Sequence, residues 1–270
     1  MIIDGHVHVW PDKIAGRALG APTPGLRRFG DGTVADAARV LASAGIDRGI
    51  CLAVADTPER LEAANRFVGS LDPGQFIGFG SIHPGRTAEE NLASLRENGL
   101  RGVKVHPLFQ DFSLDDRRLW DVLDALQGEF VAVFHVGPEH RGGENTRATP
   151  AMMRAIALNF PRLDIVACHF GGYQVLDEAL EYVVGLPVHL DTSWPPGIGT
   201  VDRARIRSVI ERHGADRIVF ATDWPMADPP AEIEAIRSLG LPDEDVEAIL
   251  GGNFARLLRL EVDATTGAKR

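Results

Sequence analysis

Short runs of β-branched and aliphatic residues alternate along this chain with longer segments whose apolar positions recur every three or four residues. The first pattern marks buried strands and the second amphipathic helices, so the alternation reads as repeated βα units. Eight strand-like runs occur: IIDGHVHV, GICLAV, FIGFGSIHP, GVKVHP, VAVFHVG, DIVACHFGG, VHLDTSW and IVFATDWP. Between them lie helical stretches such as VADAARVLASAG, AEENLASLRENG, DRRLWDVLDAL and RARIRSVIERHG. Several open on Thr, Asp or Pro and several end at Gly, as helix caps do. Eight such units in this length are what a (β/α)8 TIM barrel requires. An open doubly wound sheet is the architectural alternative. No linker-like tract or repeat breaks the pattern, so residues 1–270 are predicted to form a single domain.

The polar residues within those runs fall in one place. His8, His83, His106, His135, His169, Asp191 and Asp223 each come at the C-terminal end of a run, after the apolar residues. Barrel enzymes carry their catalytic groups on that face. One or two such residues can be satisfied core polar groups or helix caps, but seven in the same position argue for a site.

The first run carries the most specific chemistry. Side chains alternate faces along a strand, so Asp4, His6 and His8 are expected to point the same way. Two imidazoles so placed can hold one metal ion, whereas an isolated HxH also fits an edge strand with two surface histidines. His135 shares a face with Val131 and Val133 and so points into a barrel, and the same parity turns His169 and Asp223 inward at the mouth. Three neutral nitrogens, one carboxylate and a spare histidine suit one divalent transition metal ion per chain, zinc or manganese, with an open position for water. Such an ion lowers the pKa of water from about 15.7 to about 7, and a nearby carboxylate can accept the released proton.

Charge and composition narrow the partners. A formal charge of −10 argues against general affinity for nucleic acid or an anionic membrane, leaving a small-molecule substrate as the expected partner. A homo-oligomer is compatible with the sequence. The two cysteines, Cys51 and Cys168, sit in apolar runs and read as buried thiols of a reducing compartment. The first strand begins at Ile2, and no apolar run approaches the roughly 20 residues of a membrane span, so the expected location is cytoplasmic.

Four motifs then carry a family likeness: DGHVHVW in strand one, FHVG in strand five, CHFGG in strand six and TDWP in strand eight, followed by ILGGNFARLL near the C-terminus. In this order and spacing they resemble the amidohydrolase superfamily, in the branch that includes aminocarboxymuconate semialdehyde decarboxylase and related lactone hydrolases. The resemblance implies that His6, His8, His135 and Asp223 bind one metal ion and that His169 lies beside it, orienting water or polarising substrate. It implies for Asp223 a second role as proton shuttle. The activity it implies is metal-dependent hydrolysis of a small cyclic or carboxylate-bearing substrate such as a lactone. The rival is non-oxidative decarboxylation, whose enzymes in this branch tend to carry larger insertions than this length permits. A TatD-type nuclease would have glutamate where this chain has Lys104.

Other residues are open between roles. Lys104, in strand four, reads as a carboxylated metal bridge, a substrate-binding ammonium or half of a buried ion pair. His106 and His83 are candidate substrate contacts, though a histidine before proline can also cap a turn. The segment from Trp10 to Gly32 exceeds an ordinary connection and reads as a lid or pocket wall. It carries Trp10, Arg17, Arg27 and Arg28. Arg141 and Arg147 follow strand five, and any of these arginines can clamp a carboxylate. Trp194 and Trp224 read either as apolar walls for a cyclic substrate or as ordinary packing residues, and Trp10 is a further candidate substrate contact.

Overall fold

The computed structural model describes residues 1–21, 25–138 and 146–260. Eight parallel strands follow one another around a barrel: β1 (Ile3–Val7), β2 (Arg48–Leu52), β3 (Phe76–Ser81), β4 (Gly102–Val105), β5 (Val131–Phe134), β6 (Asp164–Ala167), β7 (His189–Asp191) and β8 (Ile218–Val219). Each strand pairs with the next in sequence, as the alternation predicts. The circle closes beyond the short β8, where Gly5 N donates to Phe220 O at 2.9 Å and His8 N to Trp224 O at 2.8 Å.

Two apolar layers explain the stability of this arrangement. Inside the barrel, Ile3, Ile50, Leu52, Phe79, Val131, Val133, Val166 and Val219 pack against Phe254 of the C-terminal helix Asn253–Leu257. Phe254 seals the N-terminal end by lying on Gly5, where any side chain would collide with its ring. The outer layer joins the strands to the helices through residues such as Val7, Leu41, Leu95, Val103, Leu123 and Ile210. Helix starts follow the predicted capping chemistry: Thr33, Thr87, Thr149 and Asp202 each accept a backbone N–H of the following turn.

Two local features differ from the sequence reading. The register of β1 against β2 shifts between Asp4 and Val7. This bulge moves Ile3 into the barrel and Val7 into the outer layer, so strict alternation fails and Asp4 leaves the face shared by His6 and His8. The segment after β1 also contains a helix, Asp12–Ala18, too short and polar for an apolar period to reveal. Among the described residues no helix is long and apolar enough to cross a membrane.

Candidate active site

His6, His8 and Asp223 meet at the C-terminal mouth. His6 Nε2 lies 3.1 Å from His8 Nε2, and Asp223 Oδ1 lies 3.5 Å from the first and 3.4 Å from the second. The far nitrogens define the tautomers. His6 Nδ1 faces Asp191 Oδ2 at 2.9 Å and His8 Nδ1 faces the Leu52 carbonyl at 3.2 Å. Both partners only accept, so each Nδ1 carries the hydrogen and each Nε2 presents a lone pair. Two lone pairs and a carboxylate oxygen aimed at one another repel, and a divalent cation relieves that repulsion. Their separations match the roughly 3–3.5 Å between neighbouring ligands that metal bonds of about 2.0–2.2 Å produce. The residues therefore fit the metal ion that the motifs imply.

Electrostatics favour the same protonation states. Burial, reinforced by Lys104, holds the His6 imidazole well below its ordinary value, so it is neutral near pH 7. Burial works to raise the Asp223 carboxyl, but attraction to the His6 and His8 rings in their charged form outweighs it and holds the group well below the usual carboxylate range. Neutral imidazoles and an ionised carboxylate are the forms a metal requires. Asp223 adopts a left-handed backbone, φ 63°, uncommon for a residue with a side chain. It is held there from both sides: Thr222 Oγ1 accepts from Trp224 N at 3.0 Å and donates to Asp4 at 2.6 Å.

His135 stands apart from those three ligand atoms. Its Nδ1 lies 3.1 Å from His169 Nε2, and its own Nε2 is a buried atom with no hydrogen-bond partner. The grouping of His6, His8 and Asp223 within ligand distance does not include it, so three of the four residues expected to bind a metal lie together here. His169 Nδ1 faces the Ser193 carbonyl at 3.0 Å and therefore donates, so its Nε2 accepts from His135 Nδ1 and the His135 Nε2 lone pair stays unengaged. His169 also has a left-handed backbone, φ 61°, with its amide anchored on Asp191 Oδ1 at 2.7 Å. Burial lowers its pKa, while Asp191 and Asp223 oppose the shift.

The remaining candidates divide. Lys104 is wholly buried, with Nζ 3.2 Å from His6 Nε2 and 3.0 Å from Cys168 Sγ. No carboxylate pairs with it among the described ion pairs, which removes the reading as half of a buried ion pair. His106 joins the cluster, its ring stacked between His135 at 4.2 Å and Phe109 at 3.9 Å. Trp10 stacks on His8 at 6.0 Å, half-buried beside the mouth. His83 is not drawn in: its Nδ1 accepts from Gly85 N at 3.0 Å, the turn-capping role, and its ring meets Phe112. Trp224 requires correction as a pocket wall, because it has no exposed surface and its ring lies on Gly30, pinning the segment after β1 from beneath.

Two arginines of that segment brace it. Arg28 donates to the carbonyls of Leu19 and Gly20 at 2.7 and 2.8 Å, and Arg27 lies over the Phe29 ring. Arg17 is exposed, Arg147 pairs with Asp111, and Arg141 lies outside the described residues. Sequence reasoning noted Asp191 as a strand-end residue but gave it no role, and it missed Ser193 and Gln110. Gln110 takes the His106 N–H at 2.8 Å and donates to the Ile82 and Ala55 carbonyls, tying together the ends of three strands. The only early signal for Ser193 was its spacing two residues beyond Asp191.

The fold has counterparts among solved structures. An uncharacterized TIM-barrel protein from Bordetella bronchiseptica is similar at 22% identity and a TM-score of 0.74, over 96% of this chain and 98% of that one. A dihydroxybenzoic acid decarboxylase from a Polaromonas species, solved with bound manganese and the inhibitor 2-nitroresorcinol, is 19% identical with a TM-score of 0.72, over 96% and 97%. A 2-pyrone-4,6-dicarboxylic acid hydrolase, so assigned provisionally, from Pseudomonas putida is 20% identical with a TM-score of 0.68, over 97% and 98%. No curated protein matches the chain by sequence. At such identities the likenesses establish the fold, whereas the amidohydrolase family profile matches the sequence itself over residues 3–260. A match running from the first residue of β1 past the helix that seals the barrel leaves no strand outside it, and the chain accordingly belongs to the amidohydrolase family.

Proposed function

We propose that this protein is a metal-dependent hydrolase acting on a carbonyl of a small cyclic or carboxylate-bearing substrate. The observation that carries the reading is the convergence of His6 Nε2, His8 Nε2 and Asp223 Oδ1, with both imidazoles fixed as Nδ1–H tautomers. His6, His8 and Asp223 would hold a zinc or manganese ion there, with His135 as a further ligand through its unpartnered Nε2, and that ion would supply Lewis-acid polarisation and lower the pKa of water. Asp223, ionised and partly exposed, takes the proton from the attacking water and returns it to the leaving oxygen. His169, neutral and anchored through Nδ1, presents an Nε2 lone pair that takes the His135 N–H and, beside the proposed ligands, serves to orient the attacking water. Lys104 and His106 line the floor, and Trp10 offers the flat wall that suits a ring.

Decarboxylation is the second reading, favoured by the recurrence of decarboxylases among the similar structures. The same residues serve it: the carboxylate-bearing ring binds in the mouth, and Asp223 or His169 relays a proton taken from solvent to the carbon that loses carbon dioxide. Metal-loaded protein should be screened on lactones and aromatic acids, and any turnover repeated in ¹⁸O-water and in D₂O. Hydrolysis places solvent oxygen in the product acid. Release of carbon dioxide with deuterium on carbon and no oxygen gained replaces the hydrolase by its rival.

A further inference from the structure

We propose that Asp191 is the residue that prepares the metal site: it holds the hydrogen of His6 on Nδ1 and so keeps the Nε2 lone pair turned toward His8 and Asp223. The inference rests on the metal-dependent reading above. Asp191 ends β7 and is completely buried, and its two oxygens are used unequally. Oδ1 accepts three hydrogen bonds, from His169 N at 2.7 Å, Ser193 N at 3.1 Å and Ser193 Oγ at 2.6 Å. Oδ2 faces His6 Nδ1 at 2.9 Å. The opposite edge of the same imidazole gives independent support, because Lys104 Nζ, which only donates when charged, lies 3.2 Å from His6 Nε2. Carboxylates that take the second N–H of a ligating histidine fix its tautomer and raise its basicity. Asp191 does this for His6 while its other oxygen fixes the backbone of His169, so one side chain sets both a metal ligand and its acid–base neighbour.

The unequal use of the two oxygens gives the inference a sharp test. In Asp191→Asn the amide must place its oxygen where three donors converge, which turns its NH2 toward His6 Nδ1. Two donors then face each other, and His6 escapes by moving its hydrogen to Nε2, the atom the metal needs. Ser193 Oγ, 3.2 Å from His6 Nδ1, is a weaker acceptor there because it is already engaged by His169 Nδ1 at 2.9 Å. Asp191→Ala removes the constraint without imposing the wrong tautomer. A merely structural role ranks these variants by stability, with the near-isosteric Asn milder than Ala. The tautomer role inverts that ranking for metal affinity.

Zinc affinity should be measured by competition with a chromogenic chelator on wild type, Asp191→Asn and Asp191→Ala, beside thermal stability without metal. The expected losses are about 10-fold for Ala and about 100-fold for Asn, the range seen for such outer partners. Imidazole ¹⁵N shifts of the metal-free protein, with His6 assigned from His6→Ala, should show Nδ1–H in wild type and Nε2–H in Asp191→Asn. Wild-type affinity in Asp191→Asn, or affinities that track stability, overturn the inference. So does a His6 that keeps Nδ1–H in that variant. A wild type that takes no zinc defeats the functional reading instead, and the nitrogen shifts still decide the tautomer. Should the Ala variant not fold, those shifts in the Asn variant give the decision alone.

Discussion

Asp4 and Thr222, 218 positions apart in sequence, are joined by two hydrogen bonds on one buried carboxylate: Thr222 N at 3.0 Å and Thr222 Oγ1 at 2.6 Å. The same Asp4 Oδ1 accepts His6 N at 3.1 Å. Because Thr222 precedes Asp223, this one side chain ties together the backbones that carry two of the proposed metal ligands. It does so where β1 and β8 lack a full ladder. Thr222→Val keeps the shape but leaves Asp4 Oδ2 and Trp224 N without their partner. A loss of about 2 kcal/mol in urea unfolding is expected, since a buried unpaired polar group costs about 1–3 kcal/mol. An unchanged midpoint would show that the tie carries no load.

The metal set is tested by stoichiometry. Elemental analysis after loading should give about one ion per chain, lost in His6→Ala, His8→Ala and Asp223→Asn. His135→Ala is the informative case, because His135 Nε2 stands outside the three-atom group yet has no other partner. A fall of about 10-fold or more in affinity is expected if it ligates. An unchanged affinity would restrict the ligands to three. Chelation should also lower the melting temperature, since an ion at 100 times its Kd contributes about 2.7 kcal/mol to the folded state.

His169→Asn is expected to retain the metal and lose about 10²- to 10⁴-fold in kcat, the usual cost of one acid–base or electrostatic group. Asparagine can still donate to the Ser193 carbonyl that holds Nδ1, but it offers no ring nitrogen in place of Nε2. Metal content and turnover must be read on the same preparation. Loss of the ion with the side chain would make His169 a ligand.

Glu232, which is not among the proposed ligands, provides a pH test. It sits buried in the helix Pro229–Arg237, accepting Ile198 N at 3.1 Å beneath the connection that follows β7, and burial pushes its carboxyl up to about 8. Below pH 4.5 both folded and unfolded chains hold the proton. Between 4.5 and 8 only the unfolded chain releases it, so stability falls as pH rises through that window. Glu232→Gln should match wild type near pH 4 and exceed it at pH 8 by on the order of 2–4 kcal/mol. Equal stability at both pH values would mean that the acid ionises freely in the folded state.

Local chemistry settled much of this protein in advance. Periodicity separated strands of period two from helices near 3.6, and their eightfold alternation admitted few architectures, so strand number, order and parallel sense were legible in the residues alone. Parity placed Val131 and Val133 inside the barrel, and the HxH spacing brought His6 and His8 to one point. What spacing could not reach were relations between distant segments. The bulge in β1 turned Asp4 toward Thr222, Gly30 drew Trp224 under the loop, and a turn captured His83. His135 spent its Nδ1 on His169, and Asp191 divided its oxygens between His6 and the backbone of His169. Each of these depends on where a side chain finds its hydrogen-bond or packing partner once the barrel has closed. Sequence fixes which groups are available, but in a buried site every donor must meet an acceptor, and only the folded chain decides which one.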